Sequence, residues 1–204
     1  MKKILFIYML PVLFSVMLFA NEEKGYVIET NRCLLRPIQV CDAETLYTLS
    51  CNHEVIRYTK IFNTKKSVDE IKQYIVSTTN PLQWAIIEKE TNQIIGFTFL
   101  YGFDLINKKA EVAQFLFPQI WSQGFGTEVR KSIIKFGFET LGLVRLQATC
   151  DPRNTINNKL LVKCGFKLEG YLRNYYFMNG MLVDRNMYSI TQEDYNQNLD
   201  LFAQ

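Results

Sequence analysis

The sequence predicts a mixed α/β fold in which helices flank a central twisted sheet. Residues 83–117 carry three aromatic and β-branched runs separated by polar turn residues, a pattern typical of an antiparallel meander. Residues 124–141 repeat apolar side chains at helical spacing, which predicts a long amphipathic helix. Beyond this helix the pattern alternates between strand and helix, so we expect a single mixed sheet.

Composition fits one globular domain and excludes several function classes. The 204 residues are 48% apolar and 21% charged, ordinary values for a protein that needs no disulfide or metal to fold. A net charge of +3 is too small for a nucleic-acid-binding surface, and the five cysteines show neither CxxC nor metal-type spacing. The single histidine, His53, leaves no multi-histidine zinc site, and no Ser-His-Asp triad unless His53 itself serves in it; we expect it instead at the surface of a helix start. We therefore expect neither a metal nor a nucleic-acid partner.

Residues 1–20 have the pattern of a targeting segment. Two lysines precede an uncharged, mostly apolar run at 4–20 that ends in Ala20. This pattern predicts a secretory signal peptide, with an uncleaved membrane anchor as one alternative and a true start near Val27 as another. The predicted division of the chain is a signal or anchor at 1–20, a lead-in at 21–30, the domain at 31–196 and a tail at 197–204.

The individual elements follow from local signals in chain order. A short apolar run closed by Pro37 predicts a strand at 33–38, and Asp42 is the predicted N-cap of the next helix. Ser67 followed by Glu70 is a capping box at the start of another helix. The remaining predicted elements are strands within 84–87, 94–101 and 110–117, the helix 124–141 ended by Gly142, a strand at 145–150, a short helix at 157–164 stopped by Gly165, and two strands around an Asn179–Gly180 turn.

The most specific local feature is the segment FLFPQIWSQGFGT at 115–127, where a strand leads into the long helix. Gly124 and Gly126 let backbone N–H groups approach a ligand, and a helix N-terminus carries about half a positive charge. Together these features predict a phosphate or pyrophosphate site. Alternatively, the two glycines serve only close helix–strand packing. The segment lacks the lysine of a Walker loop, and the preceding meander excludes a dinucleotide-binding βαβ unit.

A second feature is the DPRN segment at 151–154, directly after a predicted strand. The Asn154 amide can donate to and accept from an amide-bearing ligand. It can equally cap the next helix, and the sequence leaves both roles open.

Eight segments together resemble one protein family. They are residues 30–37, 42–47, 52–58, 110–113, 121–128, 141–146, 151–154 and 163–173. In this order they are similar to the GNAT superfamily of acetyl-CoA-dependent N-acetyltransferases, and most similar to its RimJ/RimL-type branch, which acetylates protein N-terminal amines. The resemblance implies the GNAT acyltransferase fold and acetyl-CoA as co-substrate.

The resemblance also implies roles for residues of this chain. The cofactor-binding residues that it implies are Phe115, Leu116 and Phe117 for the pantetheine arm, Gln123, Gly124, Phe125, Gly126 and Thr127 for the pyrophosphate, and Asn154 for the pantetheine, with Asn157 three residues on. A backbone N–H near Phe115 or Leu116 would polarise the thioester carbonyl. Three positions depart from the family pattern, because Asn157 replaces a serine, Leu161 a tyrosine and Gln123 a basic residue. No residue is therefore assigned as general acid.

Glu111 is the predicted catalytic base. Side chains alternate along a strand, so Glu111 shares a face with aromatic residues further along, and partial burial among them would make its carboxylate a stronger base. The alternative is a surface carboxylate beside Lys108 or Lys109. The fallback candidates are Glu88 and Asp151.

The predicted function is transfer of an acetyl group from acetyl-CoA to a primary amine, with a protein N-terminal amine attacking directly in a ternary complex. The alternatives are acetylation of a small amine such as a polyamine or an aminoglycoside, or acyl-CoA binding by a pseudoenzyme. The expected state is a monomer or a homodimer, with a membrane partner only if residues 4–20 stay as an anchor. Export and chemistry conflict, because acetyl-CoA is a cytosolic metabolite.

Overall fold

Eight strands and seven α-helices make up the part of the chain that the computed structural model describes, residues 25–59, 67–78, 80–178 and 180–203. The strands are β1 (Ile28–Glu29), β2 (Cys33–Pro37), β3 (Gln83–Glu88), β4 (Gln93–Asp104), β5 (Lys109–Leu116), β6 (Arg145–Cys150), β7 (Lys167–Met178) and β8 (Met181–Thr191). The helices are α1 (Ala43–Cys51), α2 (His53–Ile56), α3 (Val68–Ser77), α4 (Phe125–Lys135), α5 (Thr155–Lys163), α6 (Gln192–Gln197) and α7 (Leu199–Phe202). A π-helical turn, Phe136–Thr140, extends α4, so the predicted long helix is confirmed.

One mixed sheet contains all eight strands, in the order β1-β2-β3-β4-β5-β6-β8-β7. Neighbouring strands are antiparallel except β5 and β6, which run parallel. The predicted meander is β3–β4–β5, and the predicted final hairpin is β7–β8, in which Met178 pairs with Met181. Asn179 of that turn lies outside the described residues. The mixed α/β fold is thus confirmed.

Helices cover both faces of the sheet. On one face, α4 packs Val129 and Ile133 into a core cluster that includes Trp84 of β3. On the other face, Leu46 of α1 packs in a second cluster with Phe97 of β4. Because both faces are covered, β3 and the centre of β4 are apolar at nearly every position instead of alternating.

The two predicted helix caps behave differently. Ser67 caps α3 as predicted, because its hydroxyl accepts a hydrogen bond from the Glu70 N–H. Asp42 stands at the N-cap position of α1, but its side chain does not cap the helix. The carboxylate instead accepts two hydrogen bonds of 2.7 Å from Arg36 and one of 2.8 Å from the Gln39 N–H. A guanidinium within reach forms stronger, charge-assisted bonds.

Segments at both ends of the described chain pack onto the sheet. Ile28–Glu29, in the predicted lead-in, pairs with β2, and Trp84 Nε1–H donates to the Tyr26 carbonyl at 2.7 Å. Phe202, in the predicted tail, is buried in the core. The predicted signal or anchor at 1–20 lies outside the described residues. Among those that are described, no helix is both long enough and apolar enough to span a membrane.

Candidate active site

Two strands near the middle of the sheet separate and leave a cavity between them. β5 pairs with β6 only through residues 109–111 and 145–147. Past this point, residues 112–116 of β5 and 148–150 of β6 line opposite walls of a cavity of about 650 Å³. β4 occupies one side of β5, and past Glu111 no strand of the described chain pairs with β5 on the cavity side. A free strand edge can bind an extended ligand through its peptide groups.

The loop between β5 and α4 leaves the start of that helix open to a ligand. Gly124 has a left-handed φ of +88°, which residues with a side chain rarely adopt, and it directly precedes the first helical residue, Phe125. No side chain of the described residues caps this end, so the first N–H groups, those of Phe125, Gly126 and Thr127, are left for a ligand or for water. This geometry suits an anion such as a pyrophosphate.

Gly126, in contrast, is a packing residue. It is buried, and a Cβ atom there would lie 2.8 Å from Leu160 Cδ1 of α5 and 3.4 Å from Leu116 Cδ1 of β5. The packing alternative therefore describes Gly126, whereas Gly124 is needed for its backbone conformation. A substitution at Gly126 would disturb the contact between α4 and α5 whether or not a ligand binds beside it.

Arg32 brings a positive charge to the glycine loop, and no local pattern indicates this. Its guanidinium lies 4.1 Å from the centre of the Phe125 ring and donates to the Gln123 carbonyl at 3.1 Å. It also forms an ion pair of 2.7 Å with Glu128. Gln123 stands where the family pattern has a basic residue. Arg32, 91 positions earlier in the chain, brings a guanidinium to the Gln123 carbonyl.

Asn154 and Asn157 line the cavity across from β5. The Asn154 Oδ1 accepts a hydrogen bond of 3.1 Å from the Asn157 N–H and so caps α5. The Asn154 Nδ2 has no hydrogen bond within the described residues, so the side chain can cap the helix and contact a ligand at once. The Asn157 Nδ2 donates to the Cys150 Sγ at 3.2 Å. Both predicted roles of Asn154 are therefore compatible with this geometry.

Glu111 lies where the β5–β6 pairing ends, within a cluster of hydroxyl groups. Its Oε1 accepts hydrogen bonds of 2.6 Å from the Tyr101 hydroxyl and 3.2 Å from the Thr149 hydroxyl. Tyr176 bonds to Thr149, and all three hydroxyl residues line the cavity. Burial and the Glu111 carboxylate raise the pKa of Tyr101, so its hydroxyl remains a donor at neutral pH. Glu111 is half-buried and contacts the cavity through these hydroxyls, and no described lysine pairs with it.

The fallback bases and His53 have other surroundings. Asp151 is 1% exposed and forms ion pairs of 2.8 Å with Arg153 and 2.9 Å with Arg185. Burial opposes ionisation, but the two guanidinium groups outweigh it and hold the pKa of Asp151 below its usual range, which makes it a weak base. Glu88 lies on β3, away from the residues that line the cavity. His53 is exposed at the start of α2, on the cavity rim.

Asp151→Ala is expected to lower the free energy of unfolding by about 3–5 kcal/mol, because Arg185, 2% exposed, would become an unpaired buried charge. Urea unfolding measures this change. The matched control is Asp69→Ala, which removes an exposed ion pair with Lys72 and should cost less than about 1 kcal/mol. Because the pKa of Asp151 is lowered in the folded state, its contribution is complete above the unfolded carboxyl pKa and is lost as pH falls through the folded value. Equal losses of unfolding free energy in the two variants would contradict the role of Asp151 as the counter-ion of buried Arg185.

The thiol in the cavity wall is not suited to carry an acyl group. Burial raises the pKa of Cys150 to about 11, although Asn157 donates to its sulfur. The thiol is therefore protonated and weakly nucleophilic at neutral pH. In the described ranges, no group of three or more potential metal ligands occurs.

Comparisons with known proteins agree with this geometry. A family model described as "Acetyltransferase (GNAT) domain" matches residues 32–167. The chain is 32% identical to the uncharacterized N-acetyltransferase YoaA of Bacillus subtilis over 171 residues, 81% of this chain and 97% of that protein. It is 24% identical to spermidine N(1)-acetyltransferase of Escherichia coli K12 over 161 residues, 79% of this chain and 87% of that protein. The solved structure of RimL, a ribosomal L7/L12 alpha-N-protein acetyltransferase in complex with coenzyme A, superposes with a TM-score of 0.72 at 18% identity, covering 81% of this chain and 98% of that one.

Proposed function

The chain belongs to the acetyltransferase (GNAT) family and is an N-acetyltransferase, and we propose that a protein N-terminal amine attacks acetyl-CoA in the gap between β5 and β6. The observation that carries this proposal is the early end of the β5–β6 pairing, at Glu111 and Gln147. It opens a cavity along β5, and the start of α4 lies beside this cavity because Gly126 packs against Leu116 and Leu160 of its wall. RimJ/RimL-type and spermidine enzymes both occur among the similar proteins, so the acceptor is argued from the cavity itself.

The residues fit a CoA thioester in three places. The N–H groups of Phe125, Gly126 and Thr127 would hold the pyrophosphate, with the Arg32 guanidinium beside them. The cavity-side edge of β5, past its pairing with β6, would pair with the pantetheine amides, and the Asn154 Nδ2 would donate to the same arm. A β5 backbone N–H near Phe115 or Leu116 would polarise the thioester carbonyl, as an oxyanion hole does.

Glu111 takes up the amine proton in this proposal. The attacking amine is neutral, so its proton has to pass to a base as the new bond forms. The hydroxyls of Tyr101 and Thr149 join the cavity to the Glu111 carboxylate by hydrogen bonds of 2.6 and 3.2 Å. The thiolate of CoA leaves without a dedicated acid, because Asn157 cannot supply a proton.

The charges around the cavity favour an acceptor with a single amine. Among the described residues of the lining, acidic side chains are not in excess: they are Glu54 and Asp151, and Asp151 is already paired with Arg185. A polycation would need acidic side chains in excess, since like charges across an interface repel. A protein N-terminal amine therefore fits this lining better than spermidine does.

Arg32→Ala is expected to raise the KM for acetyl-CoA by about 3- to 10-fold with little change in kcat, because an exposed cation contributes modestly to phosphate binding. Steady-state kinetics at two salt concentrations would show a smaller effect at the higher one. Arg173→Ala is the control, since Arg173 is exposed on β7 and lies away from the loop. An unchanged KM in Arg32→Ala would remove Arg32 from the site.

The acceptor is tested by measuring thiol release from acetyl-CoA with a panel of amines. The panel holds peptides with free N-termini, the same peptides with blocked N-termini, spermidine and an aminoglycoside. We expect the free peptides to give the highest kcat/KM and the blocked peptides to give none. Faster turnover of spermidine would identify a small-amine enzyme. Binding of CoA without turnover of any amine would identify a pseudoenzyme.

A further inference from the structure

Arg130 is a buried cation in the wall of the cavity. It lies on α4, is 2% exposed, and is one of the residues that line the cavity. Its Nε donates to the Gln114 Oε1 at 3.1 Å, and the Gln114 Nε2 donates to the Gly126 carbonyl at 3.1 Å. These bonds hold the guanidinium in one position beside β5.

This guanidinium also has one nitrogen without a partner among the described residues. Its Nη1 is buried without a hydrogen bond, and no carboxylate of the described residues forms an ion pair with it. The ionisable groups around it are Cys150, Cys164 and Tyr101. Burial raises the pKa of both thiols to about 11, and Tyr101 also stays protonated, so none of them supplies a negative charge at neutral pH. A buried charge without a counter-ion is strongly unfavourable, and a ligand anion would relieve it.

The position of Arg130 assigns that anion to the acyl donor. Along β5, Val112 and Leu116 pack with the α4 side of the sheet, whereas Ala113 and Phe115 pack with the α1 side. Gln114 lies midway between Val112 and Leu116, so its side chain faces the same α4 side, where it bonds to Arg130. The segment around His53 that borders the cavity comes from the opposite layer and would contact the acceptor.

An acetyl group would leave Arg130 without a partner. The acetyl group and the pantetheine amides are neutral, so neither offers a counter-ion. A carboxylate offers a full negative charge and two acceptor oxygens, which match the fork of a guanidinium.

We propose that Arg130 binds a carboxylate at the end of the donor's acyl chain, so that the enzyme also takes CoA thioesters of dicarboxylic acids. This inference rests on the proposed function, because it places the acyl-CoA thioester between β5 and β6. Arg130 is then a residue that determines donor specificity. If Arg130 only holds Gln114 and α4 in place, charge on the acyl chain will not affect affinity.

Calorimetric titration with CoA, butyryl-CoA and succinyl-CoA tests the proposal. The two thioesters carry four-carbon acyl chains and differ in the terminal carboxylate. Wild-type protein is expected to bind succinyl-CoA at least about tenfold more tightly than butyryl-CoA, the usual effect of a charge-assisted hydrogen bond. Arg130→Met should reduce this ratio to about one, and Arg130→Lys should keep part of it because the charge remains.

Using the ratio within each variant cancels any change in the affinity for CoA itself. A wild-type ratio near one, or a ratio that persists in Arg130→Met, would overturn the role of Arg130 while CoA binding still supports the proposed function. No binding of CoA or of either thioester by the folded wild-type protein would overturn both. Circular dichroism confirms that each variant is folded before titration.

Discussion

Gly124→Glu is expected to weaken CoA binding by about a hundredfold or more. The side chain would place a carboxylate where the pyrophosphate meets the start of α4 and would repel it. A Cβ at this position would lie 3.2 Å from the Arg32 Nη2, so the new carboxylate would also pair with the cation of the loop. Isothermal titration calorimetry with CoA measures the loss.

Gly142→Glu is the matched control for this experiment. Gly142 also has a left-handed φ, of +63°, and a Cβ there would meet no atom within 4 Å. Both variants therefore add the same charge and similar backbone strain, so similar losses in melting temperature are expected. Equal CoA affinity in the two variants would contradict the placement of the pyrophosphate. Gly126 is a poorer choice because its substitution would also disturb the packing against Leu160.

Glu111→Gln is expected to lower kcat by about a hundredfold or more while the affinity for acetyl-CoA stays the same. Glutamine keeps the size of the side chain and can still accept hydrogen bonds from Tyr101 and Thr149, but it cannot take up a proton. The loss should shrink as pH rises, because more of the acceptor amine is then already neutral. Rates of thiol release between pH 6.5 and about 9.5 cover this range.

Glu88→Gln is the control for Glu111→Gln. Glu88 is a carboxylate on β3 that accepts a hydrogen bond from Thr91 and lies away from the cavity. The kcat of Glu88→Gln should therefore match that of the wild type. Near-normal turnover by Glu111→Gln at pH 7 would leave water as the proton acceptor. A loss that stays constant with pH would mean that Glu111 positions other groups instead of taking the proton.

Much of the fold could be predicted from sequence because its signals are local. The meander β3–β4–β5 and the α4 helix follow from residue periodicity within single segments, and Ser67 caps α3 through a bond to a residue three positions away. Asp42 shows the limit of such reasoning. Its position in the sequence predicts a cap, but Arg36 of β2 lies close enough to take both of its oxygens.

The site was harder to predict because it depends on contacts between distant segments. The glycine loop is a continuous motif, and its resemblance to a known family indicated where CoA phosphates would bind. Arg32 reaches this loop only because the turn between β1 and β2 bonds to Glu128 of α4, and Arg130 meets Gln114 only when the helix packs on the sheet. Neither residue belongs to a local pattern. Spacing alone also could not separate Gly124, which needs a left-handed backbone, from Gly126, which needs space.

A crystal structure of the protein with bound CoA would show directly where the donor lies. We expect the pyrophosphate within hydrogen-bond distance of the N–H groups of Phe125, Gly126 and Thr127. We also expect the pantetheine arm along residues 112–116 of β5 and the thiol in the gap between β5 and β6, near the Glu111 cluster. CoA bound at another surface of the protein, with no CoA in this gap, would show that the donor site is placed wrongly.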